Sequence, residues 1–112
     1  MHKPVMNTEL ILEEPKQVAD GGGGYQILWS PIGTLWAEVK GTRARERAVG
    51  GREISEHSHQ IVVRSAPDGS PRRPITGRRF RSGSRVFQIF GTADYDDKGR
   101  YLTCWTKEAV TA

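Results

Sequence analysis

The stretch Ser84–Gly91, with the sequence Ser-Arg-Val-Phe-Gln-Ile-Phe-Gly, constrains the fold more than any other part of the chain. It is rich in β-branched and aromatic residues and too short for a buried helix, so it predicts a β-strand. Side chains alternate along a strand, which puts Phe87 and Ile89 on one face and Phe90 on the other. Because both faces carry large apolar groups, we expect a central strand whose second face is covered by another sheet or another subunit.

The rest of the sequence fits a single, mainly β domain over residues 1–112. A domain of this length buries roughly two-thirds of its unfolded surface, which allows one modest core. Its 13 glycines and 6 prolines separate short apolar runs, and this spacing favours short strands over long helices. No apolar run reaches the ~18 residues that cross a bilayer, and the N-terminus lacks a signal-peptide pattern. We therefore expect no membrane contact and a protein that is made and kept in a cytoplasm.

Six segments have strand-like sequences. Residues 1–6 are expected to form a flexible terminus, the four glycines at 21–24 a flexible connection, and residues 31–33 a turn. The predicted strands are Asn7–Glu14 (an edge strand or arm), Tyr25–Ser30, Thr34–Lys40, Glu53–Ser65, Ser84–Gly91 and Tyr101–Thr106. Alternation along these strands predicts a core that includes Leu35, Ala37, Val39, Ile61, Val63, Phe87, Ile89, Leu102 and Cys104.

Charge is concentrated in the middle of the chain. Residues 41–85 contain eleven arginines, no lysine and four acidic residues, a formal charge of +7, whereas the whole chain carries +4. Arginine suits planar contacts with carboxylate or phosphate. This segment therefore predicts a polyanion or an acidic protein surface as a partner.

Residues 41–52 form an excursion between two predicted strands. Thr42 suits the N-cap of a short helix over Arg43–Val49, and Gly50 and Gly51 suit its end. Such a helix would bury only two alanines and would project from the sheet. It is either a solvated surface excursion or a functional protrusion that faces a charged partner.

Trp36 lies among polar neighbours on the strand face opposite Leu35, Ala37 and Val39. Two interpretations fit it about equally. The indole ring either covers the rim of the core or makes a subunit contact, where tryptophan is enriched.

The sequence predicts no enzyme, metal site or cofactor. His57 and His59 share a strand face but lack an apparent third ligand. Asp96 and Asp97 sit in a predicted hairpin turn, and the glycine loop has no following Lys-Ser/Thr. The single cysteine, Cys104, cannot form an internal disulfide and is expected in the core of a protein kept in a reducing compartment.

The order of these pieces resembles the phage head-tail joining family, the small head-closure or stopper proteins of tailed phages and phage-like gene-transfer particles. The resemblance covers residues 29–108. It is carried by Trp29, Leu35-Trp36-Ala37-Glu38-Val39, Arg45-Glu46, Ser58-His59-Gln60-Ile61-Val62-Val63-Arg64, Arg85-Val86-Phe87-Gln88-Ile89-Phe90-Gly91, Asp94, Leu102, Cys104 and Glu108.

This resemblance implies a small β-barrel or sandwich of about six strands, with the excursion at 41–52 able to reach a DNA channel. It implies a homo-oligomeric ring of six or twelve copies in the virion, with portal or adaptor proteins above it, tail-end proteins below it and double-stranded DNA passing through it. Under this hypothesis the channel-facing residues are Arg43, Arg45, Arg47 and Arg52, and the candidates for the subunit interface are Trp29, Trp36, Phe90, Arg78 and Arg79.

A second hypothesis remains open. The chain could be a free nucleic-acid-binding β-barrel, with Arg72–Arg85 as its basic path and aromatic rings that stack on bases.

Overall fold

The computed structural model describes residues 3–49, 52–67 and 69–111, and the side chains at positions 42, 43, 45–49, 52–55, 110 and 111 lie outside this description. Its strands form one closed antiparallel barrel in the order β1-β2-β3-β6-β5-β4. The strands of this described part are β1 (Thr8–Ala19), β2 (Tyr25–Val49), β3 (Arg52–Arg64), β4 (Arg79–Ser82), β5 (Arg85–Asp94) and β6 (Tyr101–Thr111). The prediction of a mainly β barrel is confirmed.

The longest strand, β2, changes its partner at Ala37. It pairs with β1 from Tyr25 to Ala37 and with β3 from Ala37 to Val49. The turn predicted at residues 31–33 is wrong, because β2 runs through these residues with a bulge at Ile32. A bulge bends a strand without ending it, and bulges are among the places where a strand accepts proline.

The short helix predicted over residues 43–49 is also wrong. This segment continues β2 and pairs with β3 in a hairpin that runs to Val49 opposite Arg52. A helix of seven residues gains few internal hydrogen bonds for its nucleation cost. Pairing with β3, which is itself hydrogen-bonded to β6 from Ile54 to Arg64, satisfies the backbone instead.

The core lies inside the barrel and is built from alternate residues of its strands. Of the nine residues predicted there, seven are buried, while Leu35 and Val39 are half-buried and pack against them. The core also contains Leu10, Leu12 and Phe80. Phe80 lies on β4, a strand that the sequence analysis did not predict.

Two segments expected to be flexible make defined contacts. Pro4 is buried, and the backbone N–H of Val5 donates to the Glu38 carboxylate at 2.8 Å, so the terminus contacts the barrel at these residues. The four glycines form the loop of the β1–β2 hairpin. The Asp20 carboxylate accepts hydrogen bonds from the N–H groups of Gly22 and Gly24, and Gly21 and Gly23 have φ angles of 85° and 88° that favour glycine.

The outer face of β5 carries Gln88 and Phe90, both exposed. Within the described chain, the second sheet that could have covered this face is not observed, since all six strands belong to the one barrel. If this face is covered, another molecule must cover it. In the described residues, no helix is long and apolar enough to span a membrane.

Candidate assembly surfaces

Two hairpins extend from opposite ends of β2. The first, which we call the apolar hairpin, pairs Pro15–Ala19 of β1 with Tyr25–Trp29 of β2 and extends past Glu13, where the pairing of β1 with β4 stops. The second, the basic hairpin, pairs Gly41–Val49 of β2 with Arg52–His59 of β3. Both hairpins extend beyond the part of the barrel that encloses the core.

The apolar hairpin exposes large apolar side chains on both of its faces. Ile27 and Leu28 are consecutive, so they point to opposite faces, and they are 61% and 50% exposed. Tyr25 is 67% exposed and Val18 is 37% exposed. A two-stranded hairpin is only marginally stable alone in water, and this one has no core of its own among the described residues.

The basic hairpin contains the four arginines predicted to face a channel. The side chains of Arg43, Arg45, Arg47 and Arg52 lie outside the described residues, but the backbone is a regular strand pair. Cα partners are Arg43 with Ser58, Arg45 with Glu56 and Val49 with Arg52. The first three arginines thus occupy alternate positions of β2. On its other side β3 pairs with β6 as far as Ile54, so most of this hairpin is backed by a third strand.

A carboxylate with two arginines closes the barrel between β1 and β4. Glu13 is buried and accepts hydrogen bonds from Nε of Arg79 at 2.8 Å and Nε of Arg81 at 2.9 Å. Burial by itself would raise the pKa of the Glu13 carboxyl, but the hydrogen bonds from Arg81 and Arg79 outweigh it and hold that pKa below its usual value. The guanidinium groups of both arginines are therefore already paired within the chain.

A second buried carboxylate, that of Glu108, binds an arginine near the base of the basic hairpin. Arg85 donates from Nε and Nη2 to the two carboxylate oxygens of Glu108, at 2.7 and 2.9 Å. These hydrogen bonds lower the pKa of Glu108 and raise that of Arg85. His59 is buried with its Nε2 3.9 Å from the same carboxylate and its ring edge-on to Phe87. Burial lowers the pKa of His59, although the Glu108 charge opposes this effect.

The five candidates for the subunit interface have different surroundings. Arg78 donates to the backbone carbonyls of Pro71 and Arg73 in the loop before β4. The Arg79 guanidinium lies 4.1 Å from the centre of the Trp29 ring, which is half-buried. Only the remaining two, Trp36 and Phe90, are exposed, at 56% and 51%.

The exposed aromatic residues mark two places on the outer face of the barrel. Trp36 borders a groove of about 480 Å³ that also contacts Met6 and Arg64. Phe90 is at a bulge of β5, near Trp105 of β6, which is 40% exposed. The Lys107 ammonium lies 5.0 Å from the centre of the Phe90 ring. We call Phe90, Trp105 and Lys107 the Phe90 patch.

The histidines, Cys104 and Asp96 are the other residues whose side chains could carry chemistry, and each contacts groups of the fold itself. The rings of His57 and His59 are 6.4 Å apart, and in the described part of the chain no three His, Cys, Asp or Glu side chains are placed to hold a metal. Cys104 is buried in the core, and burial raises its pKa to about 12. Asp96 accepts hydrogen bonds from the backbone N–H and side chain of Arg100 within the β5–β6 turn.

The apolar hairpin differs from the predicted structure, which has a flexible connection at the four glycines and a turn at residues 31–33. A usable signal was present. The runs on either side of Gly21–Gly24 both contain apolar residues, and a glycine-rich loop between two such runs is a hairpin pattern.

In the described residues these features are those of a small all-β protein with two projecting hairpins and exposed aromatic side chains on its barrel. A family model described as phage head completion protein matches residues 1–109, and the chain belongs to this family. It is a family of structural virion proteins, so the recognition of a head-closure type of protein is confirmed.

Two solved structures are similar to the chain. One is a chain of the virion of a native gene transfer agent particle, with 43% sequence identity and a TM-score of 0.89 over 98% of this chain and 100% of that one. The other is the solution structure of protein SF1141 from Shigella flexneri 2a, with 22% identity and a TM-score of 0.63 over 96% of each chain, which supports the fold alone. Among curated proteins, none matches the sequence.

Proposed function

We propose that this chain is a structural subunit of the head-tail connector of a tailed phage or a phage-like gene-transfer particle. Copies form a ring below the portal or its adaptor, join the head to the tail-end proteins, and surround or close the DNA channel. The observation that carries this proposal is the 43% identity, over nearly the whole of both chains, to a chain of a gene transfer agent virion. Family membership supports the same role.

The exposed surfaces suit a subunit that is completed by neighbours. Trp36, Phe90 and the apolar hairpin are exposed apolar features, and patches of this kind mark protein contacts. We assign the subunit contacts first to Trp36 and Phe90. Trp29, Arg78 and Arg79 support such contacts from beneath, since their side chains are already engaged within the chain.

The basic hairpin is the element we assign to the channel. Arg43, Arg45, Arg47 and Arg52 would meet DNA phosphates without reading the base sequence, because phosphate contacts are electrostatic. Projection from the barrel and support by β6 suit a hairpin that reaches a partner.

A free nucleic-acid-binding barrel is less well supported. Its basic path would run through Arg72–Arg85, but Arg79 and Arg81 are bound to Glu13, and Arg85 is bound to Glu108. These ion pairs neutralise much of the charge that the hypothesis needs.

The test is electron cryo-microscopy of particles from producing cells that contain the gene and from cells that lack it. We expect a ring of barrels at the head-tail junction in the first sample, and tailless heads in the second. The rotational symmetry of that ring distinguishes six copies from twelve. Normal tailed particles made without the chain would refute the proposal.

A separate variant tests the channel assignment. Arg43→Gln/Arg45→Gln/Arg47→Gln should leave the ring in place but reduce the DNA retained per particle. Lys98→Gln, which removes an exposed cation from the β5–β6 turn, is the control and should leave DNA retention unchanged. Equal retention in both variants would contradict a channel role for this hairpin.

A further inference from the structure

The pairing of β5 with β6 ends at the base of the basic hairpin. Its last Cα pair is Gln88 with Lys107, and beyond this pair β6 continues beside β3 in the described residues. Arg85 still joins β5 to this part of β6, through its two hydrogen bonds to Glu108. This contact therefore closes the end of the β5–β6 seam.

His59 lies directly against this contact. Its side chain is 10% exposed, and its Nε2 is 3.9 Å from Oε1 of Glu108. The same Oε1 accepts the hydrogen bond from Nη2 of Arg85. Among the described residues, the charged and titratable neighbours of His59 are Glu108 on β6, Arg85 on β5 and His57 on β3 itself. On β2 its Cα partner is Gly41, which carries no charge. One carboxylate oxygen thus lies close to two basic groups.

Protonation of His59 would make these two groups compete. A protonated imidazole donates from both of its nitrogens, so it can bind Oε1 of Glu108 in place of Nη2 of Arg85. Hydrogen bonding to Arg85 lowers the pKa of Glu108, so the carboxylate stays charged in mild acid. Arg85 is the group that can leave, because its side chain is 55% exposed and water can solvate it.

We propose that His59 is a pH-sensitive switch at the end of the β5–β6 seam. When His59 takes up a proton, the contact of Arg85 with Glu108 weakens, and β5 separates from β6 at the base of the basic hairpin. The change is local, because the backbone pairing of β3 with β2 and with β6 does not depend on this contact. The switch belongs to the folded chain itself, so it goes beyond the proposed function and does not require it.

The direction of the pH effect follows from burial. Burial lowers the pKa of His59, and although the Glu108 charge opposes this effect, the charges of Arg85 and His57 add to it. A histidine with a lowered pKa favours the closed state at high pH, and this contribution is lost as the pH falls below the ordinary pKa of about 6.5. An opening that exposes His59 gains at most about tenfold per pH unit below 6.5, so the limit at pH 5.5 is about tenfold.

Hydrogen exchange of backbone amides in the full-length chain, followed by NMR, tests the switch. The protection factors of Gln88 and Lys107, the last pair of the seam, should be about threefold to tenfold lower at pH 5.5 than at pH 7.5. They should not change in urea up to about 1 M, because exchange through a local opening exposes little surface.

Two variants separate the switch from a general effect of acid. His59→Gln should remove the pH dependence of these two protection factors. Arg85→Gln should lower them at least threefold at both pH values, and it should move the NMR titration of His59 to higher pH, because the competing cation is gone. Lys98→Gln is the control, since it removes an exposed cation from the turn at the other end of the seam, and it should change neither measurement.

Three outcomes would overturn the switch. One is a His59 titration in Arg85→Gln that coincides with that of the wild type, a comparison that does not need His59→Gln to fold. The others are a pH dependence that persists in His59→Gln, and seam amides that exchange only through global unfolding. None of these results bears on the proposed function, which is tested by the presence of the chain in particles.

Discussion

The Glu13 carboxylate gives the sharpest test of how this barrel closes. The pairing of β1 with β4 covers Ile11, Leu12 and Glu13, a short seam compared with the β1–β2 pairing. The Glu13 side chain is 5% exposed and accepts one hydrogen bond from each of Arg79 and Arg81. Glu13→Gln keeps the size of the side chain, removes its charge and replaces one of the two acceptor oxygens by an N–H donor, so it removes the ion pair and one of the two hydrogen bonds of this seam.

The expected loss in the free energy of unfolding follows from the burial of Glu13 and from its two hydrogen bonds. Hydrogen bonds to charged groups contribute about 1.5–3 kcal/mol each, and removing one partner of a buried ion pair costs about 3–5 kcal/mol. Here the side chains of Arg79 and Arg81 are 18% and 35% exposed, so water solvates them in part after the substitution. We therefore expect Glu13→Gln to lower the free energy of unfolding by about 2–3 kcal/mol at pH 7.

The same pair predicts a pH dependence. Although burial opposes it, hydrogen bonding to Arg81 and Arg79 keeps the pKa of Glu13 below its usual value. A carboxyl with a lowered folded-state pKa contributes stability above its unfolded pKa of about 4.3, and this contribution disappears as the pH falls through the folded-state pKa. The difference between wild type and Glu13→Gln should therefore be complete at pH 7 and should shrink below about pH 4.3.

Equilibrium unfolding in urea, followed by tryptophan fluorescence from pH 7 to pH 3.5, measures both effects. Glu9→Gln is the control, because Glu9 is an exposed carboxylate on the same strand, and it should change the stability by less than about 0.5 kcal/mol. A Glu13→Gln protein as stable as wild type at pH 7 would refute the reasoning. So would a loss of stability that stays constant down to pH 3.5.

Three further predictions concern buried groups. Phe80→Ala should lower the free energy of unfolding, measured in urea, by about 3–5 kcal/mol, because Phe80 is buried in the core. Phe90→Ala, at an exposed position, should change it by less than about 1 kcal/mol. Equal losses would contradict the assignment of Phe80 to the inside and Phe90 to the outside of the barrel. Burial lowers the pKa of His59 below its unfolded value of about 6.5, so wild-type stability should fall from pH 7 to pH 5, and His59→Gln should flatten this slope. Because burial raises the pKa of Cys104 to about 12, a thiol reagent at pH 8 should modify it in urea but not in the native protein, and native reactivity would contradict its place in the core.

Local sequence predicted those parts of the fold that depend on local pattern. β5 combines alternation with β-branched and aromatic residues, and both signals point to a strand with Phe87 and Ile89 inward. The histidine-containing strand and the last strand follow the same logic. In these segments the strand propensity of the residues and the two-residue alternation of apolar side chains both predict a strand. The tertiary contacts in the fold require the same structure.

The errors occur where distant partners decide the local structure. Residues 43–49 have sequence features of a short helix, but β3 supplies a full set of backbone partners for a strand. β4 has only four residues and contains two arginines, so it lacks a strand signal. Its charges are balanced by Glu13, 66 and 68 residues away, a distance that no sequence window covers.

The distribution of charge also explains why the number of arginines is a poor guide to the binding surface. The sequence places +7 in residues 41–85, with an excess of acidic residues in the flanks. Folding brings flanking carboxylates back onto that segment, since Glu13 of β1 binds Arg79 and Arg81, and Glu108 of β6 binds Arg85. These ion pairs hold the barrel together and remove three arginines from the charge available to a partner.

The apolar hairpin and the basic hairpin lie at opposite ends of β2, so this one strand presents two chemically different surfaces. The ring subunit that we propose would contact a neighbouring protein through one surface and DNA through the other, and a continuous strand bonded to β1 and β3 would hold the two surfaces in a fixed relation.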